Sequence, residues 1–399
     1  MSLTASNVYF DPFDLDLKAN PYETYRRLRD EAPLYFNTEH EFFAVSRFED
    51  VERVLTDQEN YISSQGGTID VIQAGIEMPP GLFINEDEPQ HLKHRRLVSM
   101  LFTPKSMRAI EPQIREYCAR TLDALADADG FDFVRDIGAQ VPMRVVGMLV
   151  GIPEGDQESL RDQFELSMHR PHGEDEDPFS EIATFAAVFG EYVDWRAQHP
   201  SDDLMTQLMT MEFEDETGTR RCLTRDELLI YLILIASAGN DTTNRLIGWT
   251  GKVLADFPDQ RHRLVDDRSL VTTAIEEVLR FEPPPYHIAC TVARDVECHG
   301  ETVPAGSLII VLPGAANRDD RHFPNADTLD VRRKMTHILT FGYGAHHCLG
   351  AALARLEGRV VLDELLQRFP DWEVDSEHAR LTPGFNTRGW DTLPAHITK

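Results

Sequence analysis

The sequence predicts a mainly α fold with a minor β-sheet region. Three observations predict it: one capped apolar helix of unusual length, six further segments of helical periodicity, and a few short β-like runs. The long helix starts at Thr224, which with Glu227 makes a capping-box signature. It continues through the apolar stretch from Leu228 to Ala238 and past Thr243 toward Trp249, with no proline before Pro258. That apolar stretch is too short for a bilayer, which needs about 20 such residues, so it reads as a buried helix. The other helical segments are Pro21 to Glu31, His91 to Leu101, Ser106 to Ala126, Phe179 to Gln198, Ser269 to Phe281 and Leu349 to Phe369. The β-like pieces are Leu34 to Val45, Cys290 to His299 and Ser307 to Leu312. The prolines from Pro283 to Pro285 end a helix without dividing the chain. With no repeat and no low-complexity linker, residues 1–399 read as a single domain.

Composition narrows the function. Hydrophobic residues make up 42% and charged residues 27%, as in an ordinary globular protein. A formal net charge of -29 repels phosphate backbones and anionic lipid headgroups, which argues against nucleic acid and membrane partners. The cysteines, Cys118, Cys222, Cys290, Cys298 and Cys348, are odd in number and lack the short pairing of a zinc site, so no disulfide framework is expected. The first residues have neither the basic start nor the apolar core of a signal peptide. A cytoplasmic, monomeric protein with free thiols is the expectation.

The strongest local signal is Phe341-Gly342-Tyr343-Gly344-Ala345-His346-His347-Cys348-Leu349-Gly350, followed at once by a helical pattern. A cysteine just before a helix meets unpaired N–H groups and the positive end of the helix dipole, which favour the thiolate. Gly342 and Gly344 permit a tight loop, and Gly350 leaves room for a flat ligand against the helix. Lone intracellular cysteines usually pack as small buried hydrophobes; the glycines and histidine around Cys348 set it apart.

This run resembles the haem-binding signature of the cytochrome P-450 family, Phe-Gly-x-Gly-x-His-x-Cys-x-Gly, at every specified position. The resemblance implies a haem b held between the long helix, the family's I helix, and the Cys-bearing loop with its L helix. Cys348 would ligate the iron, His346 would meet a propionate, and Phe341, Gly342, Ala238 and Gly350 would border the porphyrin. Three further motifs follow the family's order. Glu277 and Arg280, three apart on one helical face, match its Glu-x-x-Arg pair, with Arg333 as third partner by spacing from Asp330. Ala238-Gly239-Asn240-Asp241-Thr242 resembles the oxygen-activation motif, where a threonine hydroxyl bonding backwards and a bare glycine open a groove. Thr242 would present its hydroxyl to dioxygen there, and Asp241 would pass protons inward. His91 and Arg95, four apart on one helix, would pair with propionates. One departure is clear: many bacterial relatives carry a propionate-binding arginine where this chain has Cys290.

The resemblance implies a soluble bacterial monooxygenase that inserts one atom of dioxygen into a lipophilic small molecule. Electrons would come from NAD(P)H through a ferredoxin-type partner and its reductase, since no flavin or nicotinamide fingerprint is present. Lys93, His94, Arg96, Lys105, Arg108 and Arg355 would form the docking patch. The substrate pocket would be lined by Leu82, Phe83, Ile84, Leu234, Ser237, Asn240, Tyr286, His287, Ile288, Phe385, Asn386 and Thr387, with Asn240, Tyr286 or His287 as polar anchor. Residues Gly66 to Ile76 and Met168 to Pro178 would act as its lid. A peroxide-driven peroxygenase, a non-catalytic haem binder or sensor, and a structural zinc at His346, His347 and Cys348 are the alternatives. Consecutive ligands suit zinc poorly, and both Asp241 and Thr242 favour dioxygen.

Overall fold

The long helix runs over Arg225–Asp256, 32 residues, so its axis measures about 48 Å at 1.5 Å per residue. Thr224 Oγ1 accepts the Glu227 N–H at 3.3 Å and Glu227 Oε2 accepts the Thr224 N–H at 2.8 Å, closing the capping box. Arg221 clamps the same carboxylate at 2.7 and 2.8 Å and holds its pKa down to about 2. The helix stops at Phe257 because Pro258 opens the next one, Pro258–Asp266.

This computed structural model describes residues 7–99, 102–159, 161–162, 180–215, 217–384 and 386–397. The helices Phe133–Gly138 (π-helical), Val141–Val150, Ser180–Gln198 and Ala351–Arg368 pack around the long one. Ala351–Arg368 lies in turn against Pro104–Asp123 and Val271–Phe281. Between Tyr231 and Gly251 the long helix is buried except on one side. Leu234, Ser237, Ala238, Asp241, Thr242 and Arg245 recur every three to four residues and stay partly or fully accessible, with Gly239 and Asn244 at the margins. An amphipathic helix of the protein surface would be open along its whole length; apart from its accessible ends, this one is open across its middle.

Five strands form the main sheet in the order Leu34–Asn37, Phe42–Val45, Leu308–Val311, Ile288–Val292, Tyr61–Ile62. Only the pair of Phe42–Val45 with Leu308–Val311 is parallel. One side of this sheet joins the largest core, through Phe43, Val45, Cys290 and Ile309. The other closes an N-terminal core of Phe10, Tyr25, Phe42, Tyr286 and Ile310. A separate core gathers Phe83, Leu97, Val146, Phe189 and Tyr231 against the first half of the long helix.

The predicted elements are present with shifted ends. The stretch from Leu34 to Val45 is two antiparallel strands, because a turn at residues 38–41 with Glu41 at φ 50° folds it back. The stretch from Cys290 to His299 also divides, into Ile288–Val292 and Val296–Cys298, the latter paired in a hairpin with Glu301–Val303. The helix expected from Ser269 starts at Val271, after a 3₁₀ turn at Arg268–Leu270. Helices Phe48–Thr56 and Leu204–Thr210 are additional to the expected ones. Met168 to Pro178 and Phe385 lie outside the described residues. Among the described residues no helix is long and apolar enough to cross a membrane.

Candidate active site

The loop carrying Cys348 is set by a chain of buried bonds. Arg280 donates to both carboxylate oxygens of Glu277 at 2.8 Å, and both side chains are 0% exposed. Arg333, rather than Arg332, reaches Glu277 Oε1 at 3.1 Å and holds the carbonyls of Pro324, Asn325 and Thr328. Arg280 also donates to the Asn317 carbonyl at 2.9 Å. The Asn317 side chain accepts the Leu339 N–H at 2.9 Å and donates to Thr340 Oγ1 at 2.8 Å. The next residues are the glycine-rich run itself.

Within that run Gly342 and Gly344 take φ of 65° and 73°. A Cβ on Gly344 would stand 2.8 Å from the Leu55 carbonyl oxygen, so both the backbone angle and the space require glycine. The Cys348 N–H closes the loop on the Phe341 carbonyl at 2.8 Å. Gly350 is then the N-cap of Ala351–Arg368. Cys348 is accessible on one side and enclosed on the others. That enclosure pushes its thiol pKa up, against the N–H of Gly350, the charges of Arg95 and Arg355, and the N–H of Ala351. A Cβ at Gly350 would meet only Cys348 Sγ, at 4.0 Å, so this flank of the loop is open.

Three predicted residues gather beside it. His91, 1% exposed, stacks on His346 with ring centroids 4.0 Å apart. Its Nδ1 faces Glu88 at 3.2 Å, and its buried Nε2 has no partner. Arg95 donates to the His347 carbonyl and feels the Cys348 sulfur. Burial lowers the His346 pKa to about 4, so its ring is neutral at pH 7. The Arg355 guanidinium lies 4.3 Å over the Phe341 ring and pairs with Glu276.

On the long helix Thr242 Oγ1 bonds backwards to the Ala238 carbonyl at 2.8 Å, on the accessible stripe. Asp241 is held at both oxygens. Arg245 takes Oδ1 at 2.9 and 3.0 Å, and the Thr387 hydroxyl takes Oδ2 at 3.0 Å. Arg245 also reaches Asp391 at 3.2 Å and Thr382 Oγ1 at 3.3 Å. The oxygen-activation motif does not include Arg245, although its spacing of four from Asp241 is a visible signal.

Several pocket expectations need correction. Tyr286 does not join the accessible stripe: its ring packs with Phe10 and Tyr25, with Lys18 5.8 Å over it. Asn240 lies two residues beyond Ala238, on the far side of the helix, and is buried. Phe83 turns inward and stacks on Tyr231, whereas Ile84 is 48% exposed. His94 is buried against Glu86 at 2.7 Å and leaves the docking patch. Leu234, Ser237 and Ile288 remain partly open and Asn386 is exposed. His287 is buried with neither ring nitrogen partnered, and burial pulls its pKa to about 4. Cys290 is a buried thiol pushed up to about 12, so it supplies no positive charge.

The residues present fit a haem. A thiol at a helix entrance, an unpartnered buried imidazole nitrogen and an arginine lie together, and the long helix has an accessible middle. They would serve an iron, a propionate edge and an open porphyrin face in turn.

Comparison with known proteins adds a separate line of evidence. The family model described as Cytochrome P450 matches residues 183–387. The chain is 36% identical to "Putative cytochrome P450 123" of Mycobacterium tuberculosis, over 97% of this chain and 96% of that protein. Among solved structures it is similar to cytochrome P450 CYP109Q5 from Chondromyces apiculatus, with TM-score 0.85, 31% identity and 98% of each chain covered. It is also similar to CYP109E1 from Bacillus megaterium, a structure in complex with corticosterone. There the TM-score is 0.83 and the identity 27%, over 96% of this chain and 99% of that one.

Proposed function

The chain belongs to the cytochrome P450 family of haem-thiolate monooxygenases, and from that membership we propose that Cys348 is the thiolate ligand and that the long helix carries the proton route. The observation that carries this reading is the placement of the Cys348 sulfur against the Gly350 and Ala351 N–H groups, with the unpaired His91 Nε2 nearby. When bound, the haem supplies reductive activation of dioxygen, with a thiolate ligand that favours O–O cleavage.

The chain's own residues do the rest. Helix-entrance N–H groups and the Arg95 and Arg355 charges oppose the burial that raises the Cys348 thiol pKa, and so favour the anion that would ligate the iron. His91, Arg95 and His346 would hold the propionates as donors. Ala238 and Gly239 keep the helix face bare, and the Thr242 hydroxyl, already turned onto Ala238, marks where oxygen enters. Asp241, on releasing Arg245 or Thr387, would take a proton from solvent and pass it toward that hydroxyl.

The pocket wall of Leu82, Leu234, Ser237, Ile288 and Thr387 is largely apolar, which suits a lipophilic small molecule. His287, buried next to Ile288 with both nitrogens unpaired, is the candidate polar anchor and would favour a substrate bearing a hydroxyl or carbonyl group. Corticosterone, the steroid bound in the CYP109E1 structure, is of that class. Electrons reach the site from NAD(P)H through a ferredoxin-type protein, docked on exposed Arg96, Lys105 and Arg108. Five free cysteines accord with a reducing cytoplasm.

The test is the ferrous carbonyl spectrum: Cys348→Ala abolishes the strongly red-shifted Soret band of the parent, and a retained band removes the assignment. Turnover with dioxygen, ferredoxin and reductase, compared with peroxide alone, separates monooxygenase from peroxygenase.

A further inference from the structure

Outside the Cys348 site, three metal-ligating side chains of three different chemistries meet at the surface. Asp50 lies on helix Phe48–Thr56, Cys298 ends the strand Val296–Cys298 of a neighbouring hairpin, and His299 opens the turn that follows. One carboxylate oxygen, one sulfur and one imidazole nitrogen lie within 4.8 Å of one another. Asp50 and Cys298 are 4% and 6% exposed, while His299 faces solvent. We propose that Asp50, Cys298 and His299 form a binding site for a divalent cation of the zinc class.

The orientation of each ligand has a local cause. Arg53, one turn along the helix, takes Asp50 Oδ1 at 2.7 Å and leaves Oδ2 pointing at His299 Nε2, 2.7 Å away. Cys298 pairs in register with Glu301 across the hairpin, and its side chain packs inward with Val303. His299 and Gly300 form the two-residue turn with φ of 51° and 80°. Asn-Gly is the pair such a turn favours. Positive φ is uncommon for residues other than glycine, and at His299 it brings the ring onto Asp50.

The donor set selects the ion. Magnesium and calcium take oxygen ligands, whereas a sulfur with an imidazole and a carboxylate suits zinc, with water in the fourth position. On binding, the Cys298 thiol loses its proton and the proton shared by His299 Nε2 and Asp50 Oδ2 also departs. The exposed imidazole gives the ion its way in, and Arg53 stays on Oδ1 as the group that orients the carboxylate. Bound there, the ion ties the hairpin to a helix whose Leu55 abuts Gly344.

The experiment uses haem-loaded enzyme, stripped with chelator and dialysed against zinc chloride. Zinc is counted against haem by mass spectrometry, and its neighbours are identified by X-ray absorption at the zinc edge. The expected result is one zinc per haem with one sulfur at about 2.3 Å. Cys298→Ser should remove that sulfur shell, and His299→Asn, which suits the turn, should weaken binding roughly 10-fold or more. Soret absorbance reports that each variant is folded; if Cys298→Ser loses it, His299→Asn decides alone. Zinc far below one equivalent, zinc with only nitrogen and oxygen neighbours, or binding unchanged in His299→Asn overturns the site.

Discussion

Arg280→Met should be among the costliest single changes in the molecule. The guanidinium gives Glu277 two bonds of 2.8 Å and donates to the carbonyls of Asn317 and Ala326 at 2.9 and 2.7 Å. Methionine fills much of the same volume but donates nothing. Glu277 Oε1 keeps Arg333 and the Asp330 N–H, whereas Oε2 loses its donor in a site with 0% exposure. Breaking one side of a buried ion pair costs about 3–5 kcal/mol, against 0.2–1 kcal/mol, roughly, for an exposed pair. Glu277→Leu with Arg280→Met removes both charges, so the double variant should cost less than the sum of the singles by about 1 kcal/mol or more. Urea titration of the haem-loaded protein, followed by fluorescence and by the Soret band, measures each. A loss below about 1 kcal/mol for Arg280→Met, or strict additivity in the double variant, would refute the claim that this pair is a coupled buried scaffold.

Further outcomes are expected elsewhere. Gly344→Ala forces a Cβ to 2.8 Å from the Leu55 carbonyl at a left-handed backbone angle, and should cost about 1–3 kcal/mol by urea titration, with weaker haem retention; a neutral result would contradict the loop geometry. Thr242→Ala should keep haem content but divert electrons from product to hydrogen peroxide, measured as peroxide formed per NAD(P)H consumed; unchanged coupling would count against the hydroxyl's role. Burial sets the His287 pKa to about 4 in the fold, below its unfolded value of about 6.5. The unfolded chain therefore takes up the proton first as pH falls, and stability drops by about 2 kcal/mol between pH 7 and 5. His287→Leu should flatten that part of the stability profile, and an unaltered slope would show that the ring titrates normally.

Much of the scaffold could be read from local signals. The capping box at Thr224 and Glu227, the missing prolines before Pro258 and the three-residue spacing of Glu277 and Arg280 are short-range features, and each has its counterpart in the structure. The juxtaposition of His91, Arg95 and His346 with Cys348 joins motifs far apart in the chain, which only the family resemblance connects. Side-chain direction is harder to read. Tyr286 sits beside His287 in sequence, yet a core of Phe10 and Tyr25 claims its ring. Asn240 belongs to the oxygen-activation motif, although helical periodicity alone turns it away from Ala238. The clasp of Asp241 by Thr387 joins residues 146 positions apart, and no local pattern encodes such a contact.

The sheet has a consequence for how the protein is made. Phe42–Val45 pairs with Leu308–Val311, and Lys18 near the start of the chain is tied to the Thr382 carbonyl, 364 positions later. On the ribosome the N-terminal segment thus emerges long before its partners exist, and it must wait with Phe10, Tyr25 and Phe42 uncovered. By this topology the N-terminal core should close late, slow for the same reason that distant contacts are slow in general. Low-temperature expression, which lengthens the interval before unsheltered chains meet one another, suits this topology.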